Sequence, residues 1–259
     1  MPRAPDSSIG FSNNDIYLQS NMKKHIPNTL TCLNLVCGTL SAMAALKGNL
    51  EMASIWIIIA AVFDFLDGFA ARMLKVVSPI GKELDSLSDV VSFGVAPAMI
   101  IFTWLTRCLY ELPPTRIGWF TELLPYVALF VLAMSAVRLA RFNIDDRQAT
   151  TFIGLPTPAN ALFLGFIPLT ADKLVFLNNF WMVWILTLIF ALLLVSPISM
   201  MSLKFKDLKF KGINIARYAL ILTGLILIPF FQWGAFPLII LAYIIISLFY
   251  HTLQKLQVL

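Results

Sequence analysis

Eight stretches dominated by apolar side chains follow one another along most of this chain, and their succession decides most of what it can fold into. They cover residues 29–46, 51–74, 82–106, 119–141, 158–172, 178–199, 214–231 and 234–254. A helix crossing a bilayer needs ~20 mainly apolar residues, because hydrocarbon offers no water to satisfy backbone polar groups. The expected fold is therefore all-α: a polytopic integral membrane bundle of about eight transmembrane helices, in one domain spanning 26–259. Composition agrees, with 59% hydrophobic residues, 13% charged and a mean hydropathy of +0.83. Soluble domains carry ~25% charged residues, so a soluble enzyme, a disordered chain and a nucleic-acid binder are all excluded. The stretch at 158–172 is short and bounded by Pro156, Pro158 and Pro168. The last three stretches are almost purely aliphatic and aromatic and are expected to face lipid.

Residues 1–25 are polar and lack the apolar core of a signal peptide. They are expected to form a disordered tail, or one appended ahead of a more natural start at Met22. Cys32, Cys37 and Cys108 are too scattered for a disulfide framework or a zinc site, and are expected as small buried hydrophobes.

Charge sets the direction of threading. With the N-terminus inside, Arg3, Lys23, Lys24, Arg72, Lys75, Lys82, Arg138, Arg141, Arg147, Lys204, Lys206, Lys209, Lys211, Arg217 and Lys255 fall on the inner side. Only Lys47, Arg107, Arg116 and Lys173 fall outside. Cytoplasmic segments carry the excess of Lys and Arg, so both termini are expected in the cytoplasm.

Four acidic residues stand where none should. Asp64 and Asp67 follow the apolar run Ile55–Phe63, and Asp85 and Asp89 open the third stretch. An ionised carboxylate at membrane depth costs ~2.5–3.5 kcal/mol on insertion scales. At about 100° per residue, Asp64, Asp67, Gly68, Ala71 and Arg72 share an arc of roughly 140°, and Gly81, Asp85 and Asp89 a stripe of roughly 80°. A short connection, Lys75–Ile80, makes the two helices antiparallel neighbours whose acids can face each other near the cytoplasmic surface. Converging carboxylates form an all-oxygen site suited to Mg²⁺ or Mn²⁺. Gly68, Ala71 and Gly81 remove bulk beside it, as small residues also do in plain helix packing. Arg72 offers a fixed cation for a phosphate, or a snorkelling residue that closes its helix.

Written out, the stretch is Asp64-x-x-Asp67-Gly68-x-x-Ala71-Arg72, eight residues, then Gly81-x-x-x-Asp85-x-x-x-Asp89. It resembles the signature of the CDP-alcohol phosphotransferase family at all eight fixed positions. The resemblance implies a homodimeric helical membrane enzyme that moves a substituted phosphoryl group from a CDP-linked lipid or alcohol to a hydroxyl, releasing CMP. It implies that Asp64, Asp67 and Asp85 bind a two-metal centre of Mg²⁺ or Mn²⁺, which Asp89 completes while serving as catalytic base. Asp64, Gly68, Ala71, Arg72, Gly81 and Thr31 would bind the nucleotide and diphosphate. Phosphoryl transfer needs charge neutralisation and in-line positioning, which two divalent cations supply.

Within the family the chain is most similar to the phosphatidylserine synthases, over roughly Ile26 to Gly212. The similarity lies in Ile26–Thr31, Asp85–Ala98, Arg138–Asn143, Phe152–Pro158 and the lysine-rich Lys204–Lys211. It implies CDP-diacylglycerol and L-serine as substrates, in the inner membrane of a bacterium or archaeon with the active site facing the cytoplasm. A serine pocket needs a cation and hydrogen-bonding groups, for which Arg138, Arg141, Asn143 and Asn160 are the candidates. The arginines are equally plausible as positive-inside anchors, and the asparagines as helix-packing groups. Alternatives are the same chemistry with glycerol 3-phosphate or inositol phosphate, and an ion-coupled transporter. The transporter calls for ionisable groups spread through the membrane depth and for matching broken helices, whereas here the acids cluster near one face.

Overall fold

The computed structural model describes residues 13–76, 78–113, 118–145, 152–203 and 209–257, and these are overwhelmingly helical. Helix α1 (Asn13–Leu46) leads to α2 (Leu50–Leu74), α3 (Pro79–Val90) and α4 (Ala96–Tyr110), and then to α5 (Ala128–Ile144), which a 3₁₀ segment at Thr121–Val127 precedes. Helices α6 (Thr157–Ala171), α7 (Phe180–Leu194), α8 (Ile213–Phe231) and α9 (Ala235–Gln257) complete the bundle. The expected tail is helical from Asn13 onward, so α1 runs straight through Pro27 and the Ile26–Thr31 motif. Residues 1–12 lie outside the described residues, as do Arg116, Arg147, Lys204, Lys206 and the side chains of Lys23, Lys24 and Lys255.

Local chemistry sets the joints. Asn49 caps α2 by accepting from the Met52 N–H at 3.1 Å. Lys75 ends that helix in the left-handed region, at φ 52°. Ser78 caps α3 with Pro79 in its first turn, accepting from the Gly81 N–H at 3.2 Å. The stretch expected as one helix at 82–106 is continuous from Pro79 to Tyr110, but a π-helical turn at Val91–Val95 interrupts it between α3 and α4.

Among the described residues, five segments are long and apolar enough to cross a membrane: His25–Leu46, Leu50–Leu74, Pro79–Tyr110, Thr121–Ile144 and Ile213–Thr252. The protein is an integral membrane protein. Helices α6 and α7, at 15 residues each, reach only roughly 22 Å at 1.5 Å per residue. The sixth expected stretch, 178–199, ends early because the chain turns after Leu194. It then lays Ser199–Met200 (β2) antiparallel to Phe152–Ile153 (β1).

Helix α6 is the hub, buried on nearly every side and packed against α2, α4 and α9. Gly165 makes this possible, because a Cβ there would crowd Ile57 at 2.7 Å, and the Ser54 hydroxyl bonds its carbonyl. Lipid-facing character is strongest in α8, where only Asn214 and Arg217 are buried. Helices α7 and α9 each turn one face inward, through Phe180, Val183 and Phe190 and through Ile240, Tyr243 and Ile244. Of the cysteines, Cys37 and Cys108 are buried as expected, while Cys32 sits exposed on α1.

Candidate active site

The acid helices α2 and α3 are joined by a few residues and both pack against α1, which brings their carboxylates to one place. One oxygen from each of Asp64, Asp67 and Asp85 lies within 4.8 Å of the others. Asp89 lies outside that triplet, yet its charge interacts directly with all three. Asp67 and Asp89 are buried, while Asp64 and Asp85 are half-buried. Three carboxylates at this separation repel strongly in a low-dielectric setting, and a hard divalent cation relieves that repulsion. The donor set, all oxygen and all anionic, fits Mg²⁺ or Mn²⁺ and offers nothing to a soft metal.

Two recesses open from the cluster. The larger, of about 760 Å³, is walled by all four aspartates together with Arg72, Arg138, Asn143 and Thr157. The smaller, of about 280 Å³, is lined by Thr31, Asp67, Gly68, Ala71, Gly81 and Asp85, among others. Asp67, Gly68 and Asp85 belong to both, so the acid-bearing face forms a common wall. Gly68, Ala71 and Gly81 all border the smaller recess. A Cβ on Gly81 would stand 3.0 Å from Asn28 Oδ1, and one on Gly68 would stand 3.3 Å from Arg72 Nη1. Arg72 thus lies across Gly68 with its guanidinium beside the acids. Thr31 is more tightly engaged than a purely nucleotide-facing residue: its Oγ1 lies 2.6 Å from Asp67 Oδ2 and 3.0 Å from the Pro27 carbonyl.

The four residues considered for the acceptor separate in space. Arg138, on α5, is 7% exposed and lines the acid-walled cavity. Its Nη1 donates to Thr157 Oγ1 at 3.0 Å, and its guanidinium lies 5.5 Å from the centre of the Phe142 ring. Its Nε has no hydrogen-bond partner, and among the described residues it forms no ion pair with a carboxylate, although the charge of Asp89 acts on it. Arg141 is exposed, donates to the Val195 carbonyl at 3.3 Å, and lines a neighbouring cavity of about 480 Å³ that Arg138 also borders. Three residues beyond Arg138, it turns toward the α7–β2 connection and away from the acids. Asn143 reaches the acid-walled cavity but is tied to it, its Nδ2 donating to Ser86 Oγ at 2.7 Å. Asn160 is fully buried, lines neither recess at the acids, and leaves both side-chain polar atoms unpaired.

Residues to which the sequence assigned no role of their own also build the site. Thr157 orients Arg138, and Ser86 anchors Asn143. Asn34, on α1, donates from Nδ2 to Asp89 Oδ1 at 3.4 Å. A signal for Asn34 was available: Thr31 and Asn34 are polar groups one helical turn apart in an otherwise apolar span, each facing an acid helix.

Comparison with known proteins agrees with this geometry. Residues 24–195, which include both acid helices, match the family model described as CDP-alcohol phosphatidyltransferase. A CDP-diacylglycerol–serine O-phosphatidyltransferase of Bacillus subtilis is 36% identical over 150 residues, covering 58% of this chain and 78% of that protein. One of Mycobacterium leprae is 34% identical over 218 residues (79% of this chain, 68% of that protein), and one of Methanocaldococcus jannaschii 36% over 174 (67% and 72%). With the acid signature, its convergence between α2 and α3, and a match across two-thirds of the chain, this protein belongs to the CDP-alcohol phosphatidyltransferase family, integral membrane enzymes that transfer a phosphatidyl group to an alcohol.

Proposed function

We propose that the protein transfers the phosphatidyl group of CDP-diacylglycerol to the hydroxyl of L-serine, giving phosphatidylserine and CMP. The observation that carries this reading is Arg138: a buried guanidinium with an unpartnered Nε that faces the same cavity as the four aspartates and forms no ion pair with a described carboxylate. A buried N–H left without a hydrogen-bond acceptor is costly, and an acceptor that brings a carboxylate removes that cost. The similarity to serine O-phosphatidyltransferases supports the same acceptor.

Asp64, Asp67 and Asp85, joined by Asp89, would hold two divalent cations, Mg²⁺ or Mn²⁺, which neutralise phosphate oxygens when bound. The cytidine diphosphate would lie along Gly68, Ala71 and Gly81, where absent side chains admit it, with Arg72 gripping the diphosphate. Arg138 orients serine through its carboxylate. The serine hydroxyl attacks the phosphorus that bears diacylglycerol, its proton passes to Asp89, and the bond to the CMP phosphate oxygen breaks with the electron pair leaving on CMP. Arg141 would draw serine toward the site from the adjoining cavity. The aspartates would lie at the cytoplasmic face of a bacterial or archaeal inner membrane, with both termini inside and about eight spans, an orientation supported by the excess of basic residues assigned to the inner side. The lipid enters sideways from the bilayer, and the working unit is a homodimer.

Purified protein in detergent, given CDP-diacylglycerol and Mn²⁺ or Mg²⁺, should release CMP only when serine is added. Parallel reactions with glycerol 3-phosphate and inositol phosphate should stay at background. CMP release with one of those and not with serine would overturn the acceptor. No release with any of them would overturn the reaction.

A further inference from the structure

Thr31, Asn34 and Gly38 share one stripe of α1, three and four residues apart, and this stripe lies directly on α3 and the π turn. The Ser88 hydroxyl donates to the Thr31 carbonyl at 3.0 Å, and the Ser92 hydroxyl to the Asn34 carbonyl at 2.9 Å. Only glycine fits at 38, since a Cβ there would collide with Ser92. The backbone of α1 is thereby pinned to the helix that carries Asp85 and Asp89, one turn at a time. From this pinned backbone two side chains reach the acids: Thr31 to Asp67, and Asn34 to Asp89.

Asn34 is the more telling of the two. It is fully buried, its Nδ2 faces Asp89 Oδ1, and its Oδ1 has no partner. A buried amide that leaves its carbonyl unpaired destabilises the fold, so packing does not account for it. A primary amide can approach a carboxylate only through its N–H groups, and the bare carbonyl is the consequence of that orientation. We infer that Asn34 is a positioning residue for Asp89, its amide holding one carboxylate oxygen in place so that the other meets the proton of the acceptor hydroxyl. The inference rests on the reading of Asp89 as base given above. It adds that the base is set by the first membrane helix, outside the acid signature itself.

Asn34→Asp keeps the size and turns the donor into an acceptor; Asn34→Ala removes it. The test uses the full chain in detergent with CDP-diacylglycerol, serine and Mn²⁺, with thermal midpoints measured on the same samples. Both variants should lose at least 30-fold in kcat, while KM for serine and for CDP-diacylglycerol stays within threefold. A merely structural role would move the KM values together with kcat. A folded variant that keeps kcat within threefold of the parent, or whose KM values rise in step with the loss, overturns the inference. If Asn34→Asp does not fold, Asn34→Ala alone decides. If the parent enzyme uses another alcohol in place of serine, the proposed acceptor fails, while the Asn34 comparison is read in turnover of that alcohol.

Discussion

Replacing Arg138 by Met separates the proposed acceptor from the rest of the machinery, because that guanidinium would play two opposed roles. Toward the fold it is a buried charge, 7% exposed, with a hydrogen bond from Nη1 to Thr157 and no carboxylate partner among the described residues. Met fills its volume and costs the fold the single hydrogen bond to Thr157, so the thermal midpoint should fall by no more than the loss of one such bond, about 1–3 kcal/mol. Toward a serine carboxylate it offers Nε and its remaining N–H groups, and hydrogen bonds to charged groups are worth ~1.5–3 kcal/mol each. Two bonds at the lower figure come to about 3 kcal/mol, or roughly 100-fold at 1.4 kcal/mol per decade. Incorporation of radiolabelled serine into lipid should therefore show kcat/KM for serine lowered about 100-fold, with KM for CDP-diacylglycerol unchanged. Arg138→Lys keeps the charge without the fork and should fall in between. A serine KM within threefold of the parent would refute the reasoning. So would a collapse of the thermal midpoint, which would make Arg138 a structural partner of Thr157.

Two further changes probe the acid site and the helix that frames it. Asp89→Asn should cut kcat by about 10²–10⁴, the range for loss of a general base, with the protein still eluting as a folded particle; retained CMP release would remove Asp89 from that role. Gly38→Ala drives a methyl group into Ser92. It should cost about 1–3 kcal/mol as overpacking, read as a lowered thermal midpoint in detergent, and an unchanged midpoint would contradict the close approach of α1 to the π turn.

How much of this was legible beforehand depended on the range of the interaction involved. Apolar runs mark membrane helices because each span must satisfy its own backbone, and spacing alone puts Asp64 with Asp67 and Asp85 with Asp89 on single faces. The short connection Lys75–Ile80 added the pairing of those faces, which the oxygen cluster of Asp64, Asp67 and Asp85 bears out. Span lengths were less legible. Helices α6 and α7 stop at 15 residues because a proline-bounded hub and the β1–β2 turn end them. The four acceptor candidates looked alike as polar groups near one membrane face, yet only two line the acid-walled cavity.

Linear order thus determined the number of apolar stretches, the acid-bearing faces and the chemistry of a hard-cation site, because helical periodicity and membrane insertion are local properties. Tertiary structure decided what depends on side-chain direction across helices. Arg138 faces the aspartates while Arg141, three residues on, faces the α7–β2 connection; Asn143 is tied to Ser86; Asn160 is sealed inside. It also showed that α1 does more than span, since Ser88, Ser92 and Gly38 press its backbone against α3 until Asn34 touches Asp89. Such contacts arise between residues more than fifty positions apart, and only the packed bundle brings them together.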